Sequence, residues 1–125
     1  VVNRTPGVPY DTAESNPSTP GAPKNAIGWA SRPWGQNSFA HIPAAVIGAS
    51  PGQIGTALAQ QSLRGVLSFC NARQMTAPEA YVTLRPGLVT DDGEVTDEST
   101  ADFLSGFMQE FRDHVERVLT VLPRP

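Results

Sequence analysis

An uninterrupted apolar run in the first half of the chain limits the folds that the chain can adopt. Residues 44–48 read Ala-Ala-Val-Ile-Gly, and they lie between Pro43 and a Ser-Pro-Gly turn signal at positions 50–52. A strand with one exposed face alternates apolar and polar residues, whereas a continuous apolar run is typical of a strand buried on both faces of a parallel sheet. The run therefore predicts a parallel sheet with helices on both sides.

Three helices are predicted around this strand. Apolar residues recur with a period near 3.6 over residues 53–71 and 97–122. A shorter helix over residues 23–31 has Pro23 in its first turn and is ended by Pro33, because proline has no amide hydrogen to donate. The last helix has three candidate N-cap residues, which are Thr96, Asp97 and Ser99.

Two further strands complete the alternation. Residues 80–84 form one of them, Ala-Tyr-Val-Thr-Leu, and residues 7–11 form a weaker one. Pro9 restricts the weaker strand to a sheet edge, because proline cannot donate to the hydrogen-bond ladder of a central strand. The order strand, helix, strand, helix, strand, helix indicates an α/β fold.

Charge and cysteine content argue against several classes of function. The 125 residues contain 9 Lys+Arg and 12 Asp+Glu, a net charge of -3, which argues against a nucleic-acid or polybasic membrane-surface binder. The single cysteine, Cys70, excludes an internal disulfide framework and a cysteine-based zinc site, and it is expected in the core. No apolar run approaches the roughly 18 residues of a membrane span, and no signal peptide opens the chain. A cytoplasmic protein without a metal is therefore expected.

Two other groups of residues have structural interpretations. Trp29 and Trp34, which flank the end of the short helix, are interpreted as core residues or subunit contacts rather than as a platform for a substrate. The acidic residues between positions 91 and 102 lack the full calcium-loop pattern. They are interpreted as a solvated turn that leads into the positive end of a helix.

Two loops follow strands of the predicted sheet, where ligands of open parallel sheets bind. They cover residues 12–21 and 48–56. The second loop combines small residues, a hydroxyl and a helix N-terminus, whose amides can approach an anion or the polar edge of a flat ring. A tight turn that needs glycine for its backbone angles is an equally simple explanation. The loop is not a phosphate-binding P-loop, because no Gly-Lys-Ser/Thr follows.

Both loops and the segment between them resemble one protein family. Residues 24–33 read K-N-A-I-G-W-A-S-R-P, and they resemble the K-N-A-I-D-W-A-S-R-P segment of the NADPH-dependent FMN reductases, a family that includes quinone, azo-dye and chromate reductases. Residues 12–21 read T-A-E-S-N-P-S-T-P-G, where the family has T-P-E-Y-N-x-S-I-P-G. Residues 48–56 are similar to the family's G-A-S-x-G-x-x-G-T, and the resemblance covers nearly all of the chain.

The resemblance implies a flavodoxin-like, doubly wound parallel sheet that binds FMN at its carboxyl edge. Hydride would pass from NADPH or NADH through the flavin to a small-molecule electron acceptor such as a quinone, without a catalytic side chain, since the cofactor carries the chemistry. The resemblance also implies a homodimer or homotetramer, with no nucleic-acid or membrane partner. By position it assigns FMN contacts to seven residues, which are Thr12, Glu14, Ser15, Asn16, Ser50, Pro51 and Gly52.

Departures from the family pattern leave a second interpretation open. Ser15 stands where the family has a tyrosine against the flavin. The family's first strand and its G-S-x-R-x-x-S phosphate loop have no counterpart in the sequence, although the first strand is central in flavodoxin-like sheets. The expectation is a single, partial flavodoxin-like domain over residues 1–125 that lacks the first two strands. The alternative is a truncated or degenerate, non-catalytic member that acts only as a structural or interaction module.

Overall fold

The computed structural model describes residues 8–11, 21–52, 54 and 56–123, and these residues form four strands and three helices. Their bounds are β1 Val8–Asp11, α1 Gly21–Ala30, β2 Pro43–Ser50, α2 Ala57–Phe69, β3 Arg73–Gln74, β4 Ala80–Thr83 and α3 Glu98–Val121. The predicted alternation of strands and helices is confirmed, with one strand added. The sequence did not predict β3, because its two residues carry no apolar pattern and are aligned by hydrogen bonds to β2.

Strand β2 is the centre of the sheet, and every strand pairing is parallel, as predicted. β1 pairs with one side of β2, with Pro9 opposite Ala45. On the other side, β3 pairs with the start of β2 and β4 pairs with its end, where Thr83 lies opposite Ser50. Within the described ranges β1 is an edge strand, which is the position that Pro9 requires.

Alternate residues of β2 point into two separate cores. Ala44 and Val46 pack into one core with residues of α1 and α2, whereas Ala45 packs into the other with Phe107 and Phe111 of α3. Both faces of β2 are therefore covered by helices. This confirms that the apolar run at residues 44–48 is a strand buried on both sides.

The prediction for the start of α2 was wrong, since this helix begins at Ala57 and not at position 53. Position 53 itself lies outside the described residues. The chain first turns through Pro51 and Gly52, and Thr56 then packs directly on β2. The helix begins after that contact, because the chain must first cross from the strand end to the helical layer.

Of the residues with structural interpretations, Cys70 is in the core as predicted, and burial raises the pKa of its thiol. The core interpretation of the tryptophans is wrong, because Trp29 is 77% exposed and Trp34 is 82% exposed.

Within the described ranges there is no cluster of metal-ligating side chains. None of the helices described is both long and apolar enough to cross a membrane.

Asp97 is the N-cap of α3, out of the three candidates. Its Oδ2 accepts a hydrogen bond from the Thr100 amide at 2.8 Å and from the hydroxyls of Thr100 and Ser99 at 2.7 Å each. These bonds stabilise the charged carboxylate, with the Thr100 hydroxyl contributing most, and they lower the pKa of Asp97 from 3.8 to about 2.

Asp97→Asn is expected to make the thermal unfolding midpoint less dependent on pH between about 4 and 2. Because the folded pKa is depressed, the contribution of Asp97 to stability is complete above pH 3.8 and is lost as the pH falls towards 2. Asparagine keeps a capping oxygen but does not titrate. Circular dichroism melts across this range measure the effect, with Asp102→Asn, exposed in the same helix, as the control. An unchanged pH profile in Asp97→Asn would contradict the assignment.

Candidate functional site

The second predicted loop lies at the carboxyl edge of the sheet, directly after β2. Ser50 is the last residue of β2, and the Gly52 amide donates a hydrogen bond to the Ser50 Oγ at 3.1 Å. The Leu84 amide, just after β4, donates to the Ser50 carbonyl at 2.9 Å. Ser50 is half-buried, whereas Pro51 and Gly52 are exposed. The structure thus brings these three residues together in an ordered, accessible turn at the edge where the sequence predicts a ligand.

Close packing between Gly48 and Thr56 supports this turn from below. A Cβ at Gly48 would overlap the Thr56 side chain, with the Thr56 Cβ at 2.8 Å and its Cγ2 at 3.0 Å, in addition to the Thr56 Oγ1. Thr56 itself is fully buried. The absence of a side chain at position 48 therefore allows the start of α2 to lie directly on β2.

Gln60 joins the start of α2 to β4. Its side chain is completely buried, and its Nε2 donates to the Thr56 Oγ1 at 2.8 Å and to the Ala80 carbonyl at 2.7 Å. Its Oε1 has no hydrogen-bond partner among the described residues. These two bonds hold the base of the turn against the neighbouring strand.

Among the described residues, neither backbone conformation nor packing requires a glycine at position 52. Its φ does not lie in the left-handed region, unlike that of Gly35, Gly87 and Gly93. A Cβ there would meet only the Ser50 Oγ among described atoms, at the ordinary contact distance of 3.5 Å. The explanation that the turn needs glycine for its backbone angles therefore does not apply to Gly52. Close approach of a ligand to the backbone is the other common reason for glycine.

The chemistry of the described loop residues fits the ring end of a flavin. None of Ser50, Pro51, Gly52, Ile54 and Thr56 carries a charge, and Ile54 is 66% exposed. The first turn of α2 contains no acidic residue, so the partial positive charge of the helix N-terminus is not neutralised there. Small, uncharged residues with amides nearby suit the polar edge of a flat ring. Among the described residues of this turn there is no basic side chain that could bind a phosphate.

The residues assigned to the first loop, Thr12, Glu14, Ser15 and Asn16, lie outside the described residues. Strand β1, which precedes them, ends at Asp11 opposite Ile47 and runs parallel to β2. The roles of these four residues, and of Ser50, Pro51 and Gly52 as flavin contacts, stay predictions.

Sequence reasoning did not identify the supporting role of Gln60, although a signal was present. Residues 59–64 read A-Q-Q-S-L-R, which resembles the family's A-Q-x-x-L-R. In the structure Ala59 and Leu63 are fully buried, and the Arg64 Nη1 donates to the Met75 carbonyl at 3.1 Å. The pattern is therefore a packing motif that fastens α2 to the sheet beneath the loop.

Comparison with known proteins identifies the family. The sequence pattern of the NADPH-dependent FMN reductases matches residues 10–86. The chain belongs to the NADPH-dependent FMN reductase family. It is 43% identical over 100 residues to a 2-hydroxy-1,4-benzoquinone reductase of Burkholderia sp, across 80% of this chain and 55% of that protein. It is 38% identical over 115 residues to a quinone reductase of Pseudomonas putida, across 92% of this chain and 61% of that protein.

A solved structure confirms the fold of this family member. FerB, a flavoenzyme NAD(P)H:(acceptor) oxidoreductase from Paracoccus denitrificans, matches with a TM-score of 0.89 and 48% sequence identity, over 93% of this chain and 64% of FerB. The flavodoxin-like, doubly wound parallel sheet predicted from the sequence is thereby confirmed. The chain spans 55% to 64% of the lengths of these three proteins.

Proposed function

We propose that the chain forms the flavin-ring end of an NAD(P)H-dependent FMN oxidoreductase that reduces small-molecule acceptors of the quinone class. Family membership supports the flavin and the nicotinamide co-substrate. The names of two relatives, both quinone reductases, support the acceptor. The observation that carries the proposal is Gly52, an exposed glycine at the carboxyl edge of the sheet that neither its backbone conformation nor packing against the described residues requires.

In this proposal the two loops hold FMN between them. FMN, when bound, supplies a ring that takes up hydride from NADPH or NADH and passes it on to the acceptor. The chain's own residues bind and orient that ring. Ser50, Pro51 and Gly52 form one side of the site, and the first loop forms the other through four residues, which are Thr12, Glu14, Ser15 and Asn16.

We also propose that the protein is a cytoplasmic homodimer or homotetramer. Exposed aromatic side chains support self-association, since Trp29, Trp34 and Phe69 are each more than three-quarters exposed. Large aromatic residues are enriched at protein interfaces. The subunit-contact interpretation of the two tryptophans is part of this proposal.

The test of the flavin site is the replacement of Gly52 by leucine. Gly52→Leu is expected to weaken FMN binding at least about tenfold, because its side chain would occupy the space that the ring approaches. The melting temperature is expected to stay close to that of the wild type, since Gly52 is exposed and a Cβ there meets only the Ser50 Oγ at 3.5 Å among the described atoms. Titration of FMN fluorescence gives the Kd, and NADPH oxidation with 1,4-benzoquinone gives the activity.

Gly106→Leu is the matched control, because Gly106 is an exposed residue of α3 and a Cβ there meets nothing within 4 Å. It is expected to bind FMN as the wild type does. A wild-type chain that neither quenches FMN fluorescence nor oxidises NADPH faster than free FMN would overturn the proposal. That result would favour the alternative of a non-catalytic structural or interaction module.

A further inference from the structure

A pocket lies beside the proposed flavin loop, on the face of the sheet that packs on α3 and not on the face that packs on α2. It is an open pocket of about 360 Å³ between the ends of β2 and β4, the start of α3 and the loop that joins β4 to α3. Ligand pockets typically have volumes of roughly 300 to 1,000 Å³. The pocket is therefore large enough for one or two rings of a small molecule.

The floor of the pocket is formed by side chains from the face of the sheet that packs on α3. Ile47 and Ala49 lie two residues apart in β2, and Val82 pairs with Ala49 across the sheet. Ala45, two residues before Ile47, packs against α3, which fixes the face to which this row belongs. The floor is a continuous aliphatic surface that leads up to the carboxyl edge of the sheet.

The loop over the pocket is held in place by its own hydrogen bonds. Val89 and Val95 form an antiparallel bridge. The Thr96 amide donates to the Leu88 carbonyl at 2.9 Å, and the Thr96 hydroxyl donates to the Gly87 carbonyl at 2.6 Å. Leu88 is buried beneath this loop. These bonds within the loop fix the walls of the pocket.

The lining selects for an uncharged, apolar ligand. Leu88, Val95 and Leu104 form the walls, and no charged side chain lines the pocket within the described part of the chain. Thr100 lines it too, and its hydroxyl donates to the Asp97 carboxylate at 2.7 Å. A charged or strongly polar ligand would lose its hydration there without compensation.

The pocket and the flavin loop share a strand end. Ala49 lines the pocket and Ser50 begins the loop, while the Leu84 amide donates to the Ser50 carbonyl at 2.9 Å. Leu84 and Val89 are 40% and 47% exposed, so the pocket is open to solvent at its rim. We propose that this pocket binds the apolar ring or alkyl substituent of the quinone that accepts the electrons. This inference rests on the proposed function, which supplies the quinone.

The substitution Val82→Phe, made in the full chain, tests the subsite because the larger side chain would fill the pocket. The first probe is 2-methylnaphthalene, which has the apolar rings but cannot be reduced by the flavin, and its Kd is measured by equilibrium dialysis. Val82→Phe is expected to raise this Kd at least about tenfold, the usual effect of a steric change in an apolar pocket. The KM for 2-methyl-1,4-naphthoquinone is expected to rise by a similar factor, and the KM for unsubstituted 1,4-benzoquinone is expected to stay the same.

Val121→Phe is the matched control, because Val121 is 77% exposed near the end of α3 and does not line the pocket. If circular dichroism shows that Val82→Phe does not fold, Leu104→Ala carries the same test by removing a wall, with exposed Leu58→Ala as its control. An unchanged Kd in the folded pocket variant, or no saturable binding of 2-methylnaphthalene to the wild type, would overturn the subsite. Pocket-dependent binding of the probe by a chain that neither binds FMN nor oxidises NADPH would instead overturn the proposed function alone.

Discussion

Gln60→Glu is expected to lower the free energy of unfolding at pH 7 by roughly 3 to 5 kcal/mol, since a fully buried carboxyl can have its pKa raised by up to 3 to 5 units. Gln60 is 0% exposed, and its Nε2 donates to the Thr56 hydroxyl and to the Ala80 carbonyl. A carboxylate would place a charge among acceptors and could not donate either bond. It would also remain unpaired, because the Gln60 Oε1 has no partner in the part of the chain that the structure describes.

The sign of the pH dependence follows from this burial. The introduced carboxyl has a folded pKa above its unfolded value of about 4.3, so the charge penalty is absent below that pH and grows as the pH rises. At pH 4 the loss is expected to be only about 1 to 2 kcal/mol, because a protonated carboxyl can still donate one hydrogen bond. Urea unfolding at the two pH values measures the difference. Gln36→Glu, at an exposed position, is the control, and a loss in Gln60→Glu as small as in this control would refute the prediction.

Gly48→Ala is expected to lower the free energy of unfolding by about 2 to 3 kcal/mol, as overpacking of a well-packed interior does. The added Cβ would overlap the Thr56 side chain, whose Cβ and Cγ2 lie 2.8 and 3.0 Å away. Thr56 is fully buried, so its side chain has little room to move away from the added Cβ. The expected response is a shift of α2 away from β2, which would also displace the Ser50 turn and weaken FMN binding.

A double-mutant cycle with Thr56→Gly isolates this contact. In the Thr56→Gly background, Gly48→Ala is expected to cost much less, because the atoms that it would meet are gone. Gly65→Ala is the matched control, since Gly65 lies within α2 and a Cβ there meets nothing within 4 Å. It is expected to stabilise the protein by roughly 0.5 to 1 kcal/mol. Additive effects of Gly48→Ala and Thr56→Gly would show that the contact carries no strain.

Residue patterns within one segment predicted most of the fold. The apolar run at 44–48 predicted a strand buried on both faces, and Pro9 predicted the edge position that β1 has among the described residues. The apolar period near 3.6 residues predicted α3 to within one residue of each end. These predictions succeed because each rests on residues within one segment. Burial of both faces of a strand gives a continuous apolar run, burial of one helix face gives a repeat near 3.6 residues, and proline lacks the amide hydrogen that a central strand donates. Short β3 has no such repeat, since its position depends on hydrogen bonds to Ile42 and Ala44.

The candidate site was predicted less completely. The family resemblance located Ser50, Pro51 and Gly52, and the strand order placed them at the carboxyl edge. The Gln60 bond to the Ala80 carbonyl joins residues 20 positions apart, and no local pattern contains it. The exposure of Trp29 and Trp34 could not be predicted from local residues either. The residues around an isolated tryptophan do not show whether its side chain lies in a core or on the surface.

The sequence by itself determined the buried central strand, the alternation of strands and helices and the membership of the FMN reductase family, because each is encoded in residues close together in the chain. Only the tertiary structure decided that Asp97 caps α3, that Gly48 makes room for Thr56 and that neither backbone conformation nor the described neighbours require glycine at position 52. It also decided that aliphatic residues of β2, β4 and α3 line a pocket beside the Ser50 turn. These features depend on distances between segments, which are set by how helices pack on the sheet rather than by any one segment.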